Sequence, residues 1–337
     1  HAKQIVNATG PWVDEVRKKD HSMNGKHLRL TKGVHIVIDQ SVFPLRQAVY
    51  FDTPDGRMVF AIPRAGKTYV GTTDTFYDGD ARYPKPLKKD WEYLLNAIHF
   101  MFPDVQVNEK DIESSWAGVR PLIYEEGKDP SEISRKDEVW EGDSGLITIA
   151  GGKLTGYRKM AETVVDLVAK ELASEEGKTF KPCQTRYLPI SGGDVGGSDN
   201  WPIFVAQMAK KATQYGLKEE EGRRLAQLYG SNVEILYKIA SEYQKASGEK
   251  LLPAAIYAQL LYAIRYEMAV KPVDFFIRRT GSVFFDIKWA KKWKEPIVAT
   301  MAEIFHWDEE TKESYMEELE KEITDAERPV DATDIHS

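Results

Sequence analysis

Cysteine is nearly absent. Cys183 is the only one, which excludes an intrachain disulfide and suits a reducing compartment. No apolar run approaches the roughly 20 residues that a membrane-spanning helix needs. The opening residues lack the charged and apolar regions of a secretory leader, so none is expected, and the expected location is cytoplasmic. The seven histidines are scattered, with no His-x-x-x-His pair, which argues against zinc. A calcium loop of alternating acids is missing too. Neither a Gly-x-Gly-x-x-Gly fingerprint nor P-loop spacing occurs. Basic charge is not in excess: the formal charge is −7, and without a clustered basic face nucleic acid is not an expected partner. No repeat occurs at solenoid periods.

What is there has ordinary globular composition, with 337 residues, 42% of them hydrophobic, enough for two or three domains. The chain opens on His1, and residues 3–10 already read as the last strand of something. Ile5 and Val6 would need neighbours to bury them. The expectation is a C-terminal piece of a longer protein.

Residues 1–20 read as a strand, the turn Asn7-Ala-Thr-Gly-Pro11 and a short helix with Trp12, Val13 and Val16 on one face. Pro11 suits a first helical turn. From about 27 to 75 the pattern is strands, at 34–38, 57–62 and 68–71, with turn signals at Pro54-Asp-Gly56 and at 63–66. This predicts an antiparallel sheet rather than a βαβ series. Residues 88–102 switch to helical spacing through Trp91, Leu94, Leu95, Ile98 and Phe102. A strand at about 112–119 and a polar loop at 125–134 precede a strand–turn–helix that starts at Leu146. Its helix carries Tyr157, Met160, Ala161, Val164, Val165 and Val168, and ends near Gly177. Beyond about 200 nearly everything reads as helix, after a glycine-rich linker at 191–198. Tyr257, Leu260, Leu261, Ile264 and Met268 form one stripe. Trp289, Trp293, Ile297, Met301 and Ile304 form another. The acidic tail from Asp308 reads as a solvated helix face.

The turn Gly151-Gly152-Lys153 is the first candidate site. Its glycines let a ligand approach the backbone, the following helix presents a partial positive charge, and Lys153 adds a full one. The group held there should carry or develop negative charge. It could be a phosphate, or the N1–C2=O edge of a flavin that accepts hydride. An ordinary packing turn is the other reading. Asn7-Ala8-Thr9-Gly10 has the same character, which suggests two turns at one sheet edge around one ligand. Arg120 and Arg135 bracket a loop, and guanidinium forks hold phosphate or carboxylate bidentately. Each alone reads as a surface charge; with Lys153 in one pocket they make a receptor for a phosphorylated substrate. His35 interrupts an apolar strand and reads either as a satisfied core histidine or as a proton acceptor. Cys183 reads as an ordinary thiol.

Six segments occur together and in order: Asn7-Ala-Thr-Gly-Pro-Trp12, Lys32-Gly-Val-His-Ile36, Gly71-Thr-Thr-Asp74, Ala117-Gly-Val-Arg-Pro-Leu122, Ala150-Gly-Gly-Lys-Leu-Thr155 with Tyr157-Arg-Lys159, and Val273-Asp-Phe-Phe-Ile-Arg-Arg279. With them the chain resembles the FAD-dependent glycerol-3-phosphate dehydrogenases of bacteria and mitochondria over nearly its whole length. The resemblance implies an α+β fold in three parts. Residues 1–26 and 145–177 would be the remainder of an FAD-binding α/β domain, 27–144 an antiparallel β substrate-binding domain, and 185–337 an all-helical C-terminal cap. The family's glycine-rich βαβ unit would lie before residue 1, together with part of the catalytic apparatus, so little FAD binding is expected of this stretch alone.

By position, the resemblance implies that Arg120 and Arg135 hold the substrate phosphate and that Lys153 lies beside substrate and flavin. Gly151, Gly152, Leu154 and Thr155 would contact the flavin ring, and Ala8, Thr9, Gly10 and Trp12 would line the FAD path. His35 would sit near the reacting carbon. Asp274, Arg278 and Arg279 read as an intrahelical ion pair. The implied reaction oxidises sn-glycerol 3-phosphate to dihydroxyacetone phosphate, with hydride passing to flavin N5 and electrons to quinone. The resemblance leaves room for peripheral contact at the inner face of the cell membrane and for a homodimer. A glycerol-3-phosphate oxidase, an amine-oxidase-like flavoenzyme and a non-enzymatic binding module are the competing readings. The short stretch from Pro121 to Ser134, where several oxidases carry a long insertion, favours the dehydrogenase.

Overall fold

The computed structural model describes residues 1–23, 25–125, 136–151, 153–248 and 250–331. They form two compact units, one of His1–Tyr187 with the segment that begins at Pro329, the other of Leu188–Arg328. Arg135 and Gly152, singled out above, lie outside the described residues, as does nearly all of the polar loop.

The first unit holds two sheets. In the smaller, β1 (Ile5–Asn7) pairs in parallel with β9 (Leu146–Ala150), which pairs antiparallel with β8 (Glu138–Glu141). The register sets Ile5 against Leu146 and Asn7 against Thr148, so both strands leave the sheet at the same end. One runs on into α1 (Val13–Lys19) and the other into α3 (Tyr157–Glu176).

The larger sheet is antiparallel. Its order is β3 (Val49–Asp52), β4 (Met58–Arg64), β5 (Lys67–Gly71), β2 (Lys26–Asp39) and β6 (Thr75–Phe76), and β7 (Ile112–Glu125) also pairs with β2. Strand alternation sorts the side chains. Val34, Ile36 and Ile38 of β2 are fully buried and pack with Trp91, Leu94 and Ile98 of α2 (Lys88–Met101). Each such side chain contributes about 1.5–3 kcal/mol by leaving water. The odd-numbered residues of β2 point to the other face.

Two strands differ from the sequence reading. β4 runs through Pro63, which pairs with Thr68, and the hairpin turn is Ala65–Gly66, with φ of 48° and 82°. β7 continues to Glu125 because β2 offers it a partner along that whole length.

The second unit contains α4 (Trp201–Ala212), α5 (Glu219–Tyr229), α6 (Val233–Lys245), α7 (Ala254–Glu267), α8 (Ser282–Phe285), α9 (Ile287–Phe305) and α10 (Glu309–Glu327). The stripes on α7 and α9 bury Leu260, Leu261, Ile297 and Met301. Met268 departs from its stripe: it ends α7 in the left-handed region and is 82% exposed. The acidic tail is not solvated all round, since Leu319, Ile323 and Ala326 of α10 are buried against α9 and its neighbours. Asp274 and Arg278 pair at 2.8 Å within a π-helix, Asp274–Arg279, while Arg279 donates to the carbonyl of Glu267. Together the units give the α+β class, with antiparallel strands and a helical C-terminal region.

Candidate active site

The site lies on the face of the larger sheet opposite α2. Cross-strand partners share a face. The register aligns Tyr50 with Phe60, Phe60 with Gly71, Gly71 with His35, His35 with Trp116, Gly33 with Gly118, and Thr31 with Arg120. One face thus carries an aromatic floor, a histidine and an arginine. Over it lies a cavity of about 380 Å³, lined by Phe60, Thr72, Asp74, Arg120 and Lys153 among others. Arg120 and Lys153, far apart in sequence, therefore meet at one small cavity.

Arg120 is half-buried, and its Nη1 donates to Asp74 Oδ1 at 3.2 Å. Gly33 is required beneath it. A Cβ there would collide with the Thr72 hydroxyl and come within 3.4 Å of Arg120 Nη2. Lys153 is exposed and immediately precedes the 3-10 turn Leu154–Gly156. Arg57, which the sequence reading missed, also lines the cavity. Its Nη1 donates to the Thr73 carbonyl at 2.8 Å, its Nε to Asp55 at 2.7 Å, and its guanidinium lies 3.7 Å from the Tyr93 ring centre.

His35 is not a satisfied core histidine. Its ring stacks on Trp116 at 4.9 Å and lies against Phe60, a cavity residue, at 5.8 Å between ring centres. Its Nδ1 is buried with no hydrogen-bond partner among the described residues. Any side chain at Gly71 would strike the imidazole. Burial, helped by the positive charge of Arg120, lowers its pKa to about 4, so the ring is neutral at pH 7. The imidazole itself does not line the cavity.

A second cavity, of about 570 Å³, has mostly apolar walls. It is bounded by Val6, Ala8 and Gly10 from one strand-to-helix turn, by Ala150 and Gly151 from the other, and by Val164 and its neighbours on α3. The parallel pairing of β1 with β9 brings the two turns together. The first turn is tied internally. The Thr9 hydroxyl donates to Asn7 Oδ1 at 2.7 Å, and buried Asn7 donates to the carbonyl of Val13 at 2.9 Å. Trp12 is 37% exposed, and Leu154 87%. Thr155 is exposed as well. The glycine at 151 has a local reason besides any ligand: a Cβ there would collide with the Asp137 carboxylate. The two cavities are neighbours in sequence terms. Arg120 lines one and Pro121 the other, as do Lys153 and Gly151.

Comparison with known proteins adds the context. Residues 1–158 match the family model described as FAD dependent oxidoreductase. Residues 183–312 match that of the C-terminal domain of alpha-glycerophosphate oxidase. The chain is 56% identical over 331 residues to the aerobic glycerol-3-phosphate dehydrogenase of Bacillus subtilis, covering 98% of this chain and 60% of that protein. It is 57% identical over 326 residues to the enzyme of that name from Staphylococcus aureus, covering 96% of this chain and 58% of that one. The X-ray structure of the glycerol-3-phosphate dehydrogenase from Bacillus halodurans complexed with FAD superposes with a TM-score of 0.89 at 49% identity, over 98% of this chain and 64% of that one. The chain thus spans about three-fifths of the length of the curated relatives it matches.

Proposed function

We propose that this chain, whose residues 1–158 match the FAD dependent oxidoreductase model, belongs to that family and forms part of an FAD-dependent glycerol-3-phosphate dehydrogenase. That enzyme would oxidise sn-glycerol 3-phosphate to dihydroxyacetone phosphate. The observation that carries the reading is the convergence of Arg120 and Lys153 on one cavity beside a slot walled by two small-residue turns. A polar anion site next to an apolar slot is what a phosphorylated alcohol lying against a flat ring requires.

The residues present fit FAD on this chain's side. The slot of about 570 Å³ is apolar, and its small residues at Ala8, Gly10, Ala150 and Gly151 leave room for a planar group. When bound, FAD supplies the hydride acceptor. Ala8, Gly10 and Gly151 would hold it, with Thr9, Trp12, Leu154 and Thr155 at the same two turns and Gly152 between Gly151 and Lys153 in sequence.

The chain's own groups do the rest. Arg120 holds the phosphoryl group, and fixing that end orients C2. Arg135 joins it in this proposal on the strength of the sequence resemblance. Lys153 adds positive charge where negative charge develops. His35 is the proposed acceptor of the C2 hydroxyl proton on the strength of the sequence resemblance: a neutral imidazole can take one, although the ring packs against the cavity residue Phe60 rather than lining the cavity itself. A dianion on Arg120 cancels the positive field that helps hold the imidazole neutral, so substrate binding raises its proton affinity when a proton must be taken. Quinone as electron acceptor, at the inner face of the membrane, belongs to the same proposal. Its support is the short stretch between the two arginines. Among the described residues no helix is long and apolar enough to cross a membrane.

The test is Arg120→Ala in a protein carrying this chain at the full length of its relatives. Losing a charge-assisted fork should raise KM for glycerol 3-phosphate about tenfold or more. An unchanged KM would remove the phosphate assignment.

A further inference from the structure

Two anions have a claim on Arg120. One is the substrate's phosphoryl group, on the reading above, from which this inference follows. The other belongs to the protein: the Asp74 carboxylate, 3.2 Å from Nη1 and lining the same cavity.

The backbone around Asp74 is held while its side chain is not enclosed. Thr73 is buried. Its hydroxyl accepts from Val34 N at 3.2 Å and donates to the carbonyl of Lys32 at 3.3 Å, and its own carbonyl accepts from Arg57. Asp74 follows with φ of 56°, a left-handed conformation that aspartate and asparagine tolerate better than most residues. The Asp74 side chain is 28% exposed. A rotation about its own bonds can therefore break the pair with Arg120 while the main chain stays put.

A second, independent observation points to a ligand oxygen. Thr72 is 7% exposed, and its hydroxyl has no hydrogen-bond partner among the described residues. It sits with Arg120 Nη2 over Gly33. A buried hydroxyl without a partner costs about 1–3 kcal/mol, and a phosphoryl oxygen on Arg120 would satisfy it.

We infer that Asp74 is a built-in competitor for the substrate's anionic end. Its carboxylate holds the Arg120 guanidinium between turnovers and swings off when the phosphoryl group arrives, and the Thr72 hydroxyl then gains an acceptor. The carboxylate returns as the product leaves. Asp74 thus weakens the binding of substrate and product alike and hastens release.

The test is Asp74→Asn in the full-length protein, with Asp74→Gly beside it in case the first variant folds poorly. Both residues suit the left-handed backbone, and both remove the charge. A half-exposed ion pair of this kind corresponds to about a threefold change in affinity. KM for glycerol 3-phosphate and the inhibition constant of inorganic phosphate should both fall by about that factor, and dihydroxyacetone phosphate should inhibit at a correspondingly lower concentration. If Asp74 instead serves to hold Arg120 in position, both constants rise, which overturns the inference, as do unchanged constants. Arg120→Ala, run in parallel, separates the two levels. If its KM is normal, the phosphate assignment fails and takes this inference with it. If its KM rises while Asp74→Asn does not tighten binding, only the inference about Asp74 fails.

Discussion

Replacing His35 with glutamine should flatten the pH dependence of stability. In the folded protein the imidazole pKa is about 4, against 6.5 for an unburied histidine, because the ring is buried and faces the Arg120 charge. Between those values the unfolded chain takes up a proton that the folded protein refuses, so stability rises with pH. The stabilisation is complete above pH 6.5 and is lost as pH falls toward 4. A shift of that size corresponds to about 3 kcal/mol in total, and to about 2 kcal/mol between pH 7.5 and 5.0. Urea unfolding at those two pH values, for wild type and His35→Gln, reads the difference directly. Any effect of the glutamine common to both pH values cancels in the difference: wild type should lose about 2 kcal/mol more than the variant. Arg120→Ala should lessen the wild-type slope, because it removes the second cause of the shift. Parallel pH dependences in wild type and His35→Gln would show that the ring is solvated or charged in the fold. That would remove the basis for treating it as a neutral proton acceptor.

Two other outcomes follow from the structure. Asp90→Ala strips the buried Lys32 ammonium of the carboxylate that it meets at 2.7 Å, leaving it the Lys85 carbonyl at 3.1 Å. It should cost about 3–5 kcal/mol in urea unfolding. The double variant Lys32→Met with Asp90→Leu should cost much less than the two single changes summed, and simple additivity would contradict a coupled buried pair. Lys153→Met in the full-length protein should slow the substrate-dependent bleaching of flavin absorbance by roughly a hundredfold; an unaltered rate would count against a role for this lysine at the site.

Local pattern made some of this legible and long-range pairing hid the rest. The alternation of Val34, Ile36 and Ile38 marks the face of β2 that packs on α2, and His35 stands out because it breaks that run. The helical spacing of Trp91, Leu94 and Ile98 marks the matching face of α2. Arg120 could be named as a cation, but not placed: its partner across the sheet is Thr31, nearly ninety positions away. Thr72 and Asp74 stand in one of the six segments that carry the resemblance, but only the fold shows that they line the cavity together with Arg57. Gly151 reads as a ligand-facing glycine and lines the second cavity, but the carboxylate of Asp137, which belongs to another segment, also leaves no room for a Cβ there, and the local sequence does not show that. In α10 the spacing of Leu319, Ile323 and Ala326 is helical, but the surrounding acids made the segment read as solvated. Met268 keeps the period of its stripe, yet the chain turns left-handed there and the side chain points to solvent.

A crystal structure of the full-length protein with dihydroxyacetone phosphate bound decides whether Arg120 holds the phosphoryl group. It should show phosphoryl oxygens within hydrogen-bond distance of the Arg120 guanidinium, the Asp74 carboxylate turned off it, and the carbonyl carbon facing the slot between the two turns. A phosphoryl group bound elsewhere, with the Arg120–Asp74 pair intact, would contradict that assignment.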